Sequence, residues 1–84
     1  MERYTRRGDQ GWQVPEGQEQ AALERLAGLE DAYEELQGAL ALLEAQMEPL
    51  RAAGKQKSAR FRELMGERLL LRRMLELLER HGLS

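Results

Sequence analysis

Cysteine is absent from the 84 residues, and aromatic side chains are scarce: one Trp, two Tyr and one Phe. Without thiols the chain forms neither disulfides nor thiolate metal sites. Its single histidine, His81, has no Ser–His–Asp or Cys–His arrangement around it, so no nucleophile or general base can be named. No apolar stretch approaches the roughly 20 residues that span a bilayer. After Met1 the chain reads Glu-Arg-Tyr-Thr-Arg-Arg-Gly-Asp-Gln-Gly, which lacks the basic start and apolar run of an export signal. A soluble cytoplasmic protein without a membrane partner is therefore expected, and Arg7-Gly8-Asp9, a cell-adhesion tripeptide in exported proteins, is read as chance.

What the chain does have is charge and leucine. Charged residues make up 33% of it and the net charge is −2. The balance is uneven along the chain. Residues 1–54 carry 11 acidic and 5 basic side chains, whereas residues 55–84 carry 4 acidic and 8 basic ones. An acidic helix lying beside a basic one explains this asymmetry better than a nucleic-acid surface, because the basic residues alternate with leucines instead of forming a separate tail.

Up to about Gly17 the chain shows no helical period and is broken by Gly8, Gly11, Pro15 and Gly17. Residues 1–17 are expected as an extended or disordered arm, whose Tyr4, Trp12 and Val14 either dock on the helices or stay loose. From Ala22 the pattern changes. Leu26, Leu29, Tyr33, Leu36, Leu40, Leu43, Met47 and Leu50 recur at alternating spacings of three and four, a heptad seam sustained over more than three heptads. This predicts a helix over about 18–53. Pro49 inside it forfeits a backbone hydrogen bond at a cost of about 3 kcal/mol, so a kink or break is expected there.

Gly54 supplies the residue type that best ends a helix, and Ser58 can cap the next one. A second helix is predicted over about 58–81, stopped by Gly82. So short a connection makes the two helices antiparallel neighbours. The expected fold is all-α: an antiparallel helical hairpin with heptad-like packing over residues 18–84.

The second helix has more apolar surface than one partner can cover. Phe61, Leu64, Leu71, Leu75 and Leu78 form one stripe, Met65 and Leu69 widen it, and Leu70, Met74 and Leu77 form another. Fully burying a leucine is worth about 1.5–3 kcal/mol, so the surplus stripe calls for a partner. A homodimer is favoured, two hairpins meeting through their second helices as a four-helix bundle, with Leu70, Met74 and Leu77 as the interface. The alternatives are a different protein as partner, or the N-terminal arm folding over with Trp12.

Other candidate sites are weaker. Gly54-Lys55 followed by Ser58 fails as a phosphate loop, because Pro49 stands where the motif needs its first glycine and Gln56 follows the lysine. Lys55, Lys57, Arg60 and Arg62, followed by Arg68, Arg72 and Arg73, make the best case for nucleic-acid contact. Solvated or cross-helix paired charge is the preferred reading. Asp31 with Glu35 and Glu30 with Glu34 place like charges one helical turn apart, but with no histidine among them a metal site is not expected. His81 falls in the last turn of the second helix, where it complements the helix dipole.

Met1-Glu2-Arg3-Tyr4-Thr5, Ala22-Leu23-Glu24-Arg25-Leu26-Ala27, Glu30-Asp31 and Gly54-Lys55-x-Lys57-Ser58-x-Arg60-Phe61-Arg62-Glu63-Leu64 resemble segments of small uncharacterised proteins from phages, prophages and mobile elements of Gram-positive gut bacteria. The resemblance covers about half the chain. It implies a bacterial cytoplasmic setting and carries no activity, cofactor or catalytic residue. The sequence as a whole points to a non-enzymatic structural or protein-interaction module without a cofactor.

Overall fold

A computed structural model describes residues 1–84 as two strands followed by two helices: β1 (Arg6–Gly8), β2 (Gly11–Gln13), α1 (Glu19–Ala52) and α2 (Ala59–Arg80). The chain divides into two compact units, Met1–Asp31 and Ala32–Ser84, and α1 runs through the boundary between them.

In the first unit β1 and β2 pair antiparallel, with Arg6 opposite Gln13, Arg7 opposite Trp12 and Gly8 opposite Gly11. This sheet is an addition that the all-α reading did not contain. Its cause is local. Asp9 and Gln10 make the turn without positive φ, and the left-handed conformation falls on Gly11 (φ 109°), where there is no Cβ to resist it. The glycines read as breakers thus reverse the chain. A further turn, closed by Gln18 N–H donating to the Pro15 carbonyl at 3.1 Å, leads into α1, and Ala22 N–H donates to the Gln18 carbonyl at 3.0 Å. The Arg25 guanidinium lies 4.2 Å from the centre of the Tyr4 ring and donates a hydrogen bond to the Glu2 carbonyl, which ties the first residues to the start of α1.

The second unit holds the hairpin core. Leu43 and Met47 from α1 and Phe61 and Leu64 from α2 form one buried cluster, with Leu50 and Leu71 packed against it. Leu75 is buried further along α2. These positions belong to the predicted seams, so the helical hairpin expected from the heptad pattern is present. Met47 and Leu64 are the most enclosed, each only 1% exposed.

Helix α1 passes through Pro49 and continues to Ala52. The proline costs the helix one backbone donor, but it stands in the last turn, where Met47 on one side is buried and Leu50 on the other packs on the core. The end of the helix is built from backbone bonds. Lys55 N–H donates to the Leu50 carbonyl at 2.8 Å and Gly54 N–H to the Arg51 carbonyl at 3.1 Å, with Gly54 at φ 71°. That pairing is a Schellman motif, which satisfies carbonyls the helix leaves free. Helix α2 ends the same way: Leu83 N–H donates to the Leu78 carbonyl, Gly82 N–H to the Glu79 carbonyl, and Gly82 has φ 102°. Its start is capped by Ser58, whose hydroxyl accepts from Phe61 N–H at 3.2 Å and donates to the Lys55 carbonyl at 2.8 Å.

The two helices are unequal, 34 residues against 22. At 1.5 Å per residue α1 is about 18 Å the longer. Leu26 and Leu29, which continue the seam towards the N-terminal end of α1, are 47% and 42% exposed.

Candidate functional site: an exposed leucine stripe on α2

Successive helical residues are turned by about 100°, so Leu70, Met74 and Leu77 stack along one side of α2. The same arithmetic turns that side by about 120° from the line through Phe61, Leu64, Leu71 and Leu75, which faces α1. The structure leaves all three largely open: Leu70 is 60% exposed, Leu77 49% and Met74 43%. On the other flank Met65 and Leu69 are also exposed, and with Gly66, Arg68 and Arg72 they line a shallow, mainly apolar groove. α2 therefore presents apolar side chains in three directions, and the hairpin core takes up one.

Charged groups occupy the rim of the core. Glu44 of α1 lies 3.0 Å from Arg72 Nη2 and 3.4 Å from Arg68 Nε of α2. The first contact is a hydrogen bond. The second is close enough for Coulombic attraction but not aligned for one, and Arg68 Nε is buried without a hydrogen-bond partner. This bridge joins the acidic and basic halves in the sense expected from their charge. Its free energy is small, because the side chains remain about a third to a half exposed.

Tyr33 has a displaced pKa. It is raised above 10.0, first by desolvation, then by the charge of Glu79 and a hydrogen bond to that carboxylate. Tyr33, Gln37, Glu44, Arg72, Glu76 and Glu79 line a groove of mixed polar and apolar character along the hairpin, together with Leu40, Ala41 and Leu75. A phenol with a raised pKa is a poor base or nucleophile near neutral pH. No group of three or more His, Asp or Glu side chains is arranged to hold a metal ion.

The basic residues around the interhelical turn are brought to one end of the hairpin and are all exposed: Lys55, Lys57, Arg60 and Arg62. Arg60 pairs with Glu63 at 3.5 Å, and no carboxylate pairs with Lys55, Lys57 or Arg62. Beside them Arg51 pairs with Glu48 at 3.0 Å and lies 5.6 Å from the centre of the Phe61 ring. His81 is the C-terminal cap residue of α2, its backbone N–H shared between the carbonyls of Glu79 and Leu78.

A second polar cluster lies in the N-terminal hairpin, where Trp12 stands 60% exposed with the guanidinium groups of Arg3 and Arg7 at 5.2 and 5.3 Å from its ring centre. Sequence reasoning overlooked it. The available signal was Arg6-Arg7 and Trp12 on either side of Gly8-Asp9-Gln10-Gly11, a turn-forming spacing.

Comparison of the chain with protein-family models, curated proteins and solved structures gives no match. No helix is long and apolar enough to cross a membrane.

Proposed function

We propose that the chain is a non-enzymatic protein-interaction module that self-associates through α2. Two hairpins pack their second helices together as an antiparallel four-helix bundle related by a two-fold axis, with Leu70, Met74 and Leu77 at the interface. The carrying observation is the exposure of these three large apolar side chains on one side of a helix whose core-facing side, about 120° away, is already buried. Covering the exposed half of each is worth about 1 kcal/mol per side chain, and a two-fold axis doubles every contact. A dimer is favoured, and a different protein seated on the same stripe is the alternative partner. Within the proposal the setting is the bacterial cytoplasm, on the strength of the resemblance to phage and mobile-element proteins.

The test is the molar mass in solution, with Leu70→Glu/Leu77→Glu as the disrupting variant. The reading expects a dimer that this variant converts to monomer while circular dichroism shows most of the helix retained. An unchanged mass would remove these residues from the interface.

A second reading, nucleic-acid contact at the turn, is supported by Lys55, Lys57 and Arg62 standing exposed without acidic partners. Such binding would weaken steeply with salt, and no binding at low salt would exclude it.

A further inference from the structure

We infer that the N-terminal β-hairpin is a docking face for single-stranded nucleic acid, with Trp12 as the stacking surface for a base and Arg3 and Arg7 as the contacts to its phosphates. Arg7 and Trp12 are directly opposed across the strand pair, so their side chains leave the ribbon on the same face. Arg3 reaches the same indole from outside the strands.

Two guanidinium groups thus crowd one ring, and neither has a carboxylate partner, nor has Arg6 in the neighbouring position. Like charges held close without a counter-ion favour the arrival of an anion. Arg3 is already oriented for one: its Nε donates to the Thr5 carbonyl at 3.3 Å and its Nη2 to Thr5 Oγ1 at 3.1 Å, which leaves Nη1 uncommitted. The N-terminal segment is itself held to α1 through Arg25, so the arginines project from a fixed base.

The chemistry of the face selects the ligand. An exposed indole with two unpaired guanidinium groups over its ring offers a planar apolar surface once those groups turn to phosphates, the combination that binds unstacked bases along a charged backbone. A duplex hides its base faces in the stack. A lipid surface would need a broad apolar side on the hairpin, and here Trp12 is the only large apolar side chain on the strands.

Trp12 is the sole tryptophan of the chain, so its emission reports its own environment. The test titrates the full chain with labelled oligo-thymidylate and oligo-uridylate strands of about 15 nucleotides, following both the anisotropy of the label and the emission of Trp12. Binding with quenched Trp12 emission is expected. Two or three phosphate contacts predict a loss of affinity of about 25- to 125-fold between about 20 and about 200 mM salt. Trp12→Ala should weaken binding about tenfold and Trp12→Phe much less. Arg3→Gln/Arg7→Gln should flatten the salt dependence. Circular dichroism confirms that the helices persist in each variant. A preference for thymidylate or uridylate would show whether DNA or RNA is the natural strand, and either supports the inference.

Absence of binding at low salt overturns it. So does binding that survives in these variants but is lost in Lys55→Gln/Lys57→Gln, which would move the contact to the interhelical turn, and so does a Trp12 response to anionic vesicles alone. The inference is independent of the proposed self-association, because the strand variants leave α2 untouched and their molar mass should equal that of the parent chain.

Discussion

Replacing Leu64 by Ala tests whether the hairpin core is where the structure puts it. Leu64 is 1% exposed and shares a cluster with Leu43, Met47 and Phe61. Truncation removes three carbons from a site enclosed by both helices, and the cost of such a change is about 3–5 kcal/mol, part lost transfer energy and part residual cavity. A chain of this length has a total stability of about 4–13 kcal/mol, so the variant stands near the limit of folding. With a urea dependence of about 1 kcal/mol per molar, the unfolding midpoint should fall by about 3 M or more. Leu42→Ala is the matched control. Leu42 is one residue from Leu43 but 63% exposed, and its truncation should cost less than about 0.5 kcal/mol. The assay is urea unfolding followed by circular dichroism, both variants at one protein concentration because association contributes to apparent stability. Equal midpoints for the two variants would refute the packing described here.

Smaller effects are expected elsewhere. Ser58→Ala removes the acceptor for Phe61 N–H and should cost about 1 kcal/mol in the same urea assay; a change near zero would mean the cap is idle. Gly54→Ala forces a Cβ into the left-handed region at φ 71° and should cost about 1 kcal/mol, although nothing lies within 4 Å of the added atom. Tyr33 holds its proton above 10.0 in the folded chain. Its contribution to stability is therefore complete below pH 10 and is lost as pH rises through the raised folded value. The tyrosine absorbance that disappears in Tyr33→Phe should titrate above 10.0, and titration at or below that value would contradict the Glu79 contact.

The features that were legible in the sequence are those written in local chemistry. Ser58, Gly54 and Gly82 marked helix ends because capping and left-handed termination are each decided by one side chain. The core was legible because Leu43, Met47, Phe61 and Leu64 fall on heptad positions. The N-terminal hairpin was not, since three-residue strands are too short to show alternation and Gly8 and Gly11 signal a break as readily as a turn. Nor could the seam alone reveal which of its members are covered. Leu26 and Leu29 stand in the same pattern as Leu43, yet they are 47% and 42% exposed whereas Leu43 is buried. Leu70, Met74 and Leu77 lie away from the seam, and the single hairpin leaves them exposed.

Light scattering on a size-exclusion column, run at several loading concentrations, tests self-association through α2 most directly. The account predicts a species of about 19 kDa, twice the 9.7 kDa of one chain, that dissociates when Leu70 and Leu77 become Glu. A mass of 9.7 kDa at every concentration would contradict it.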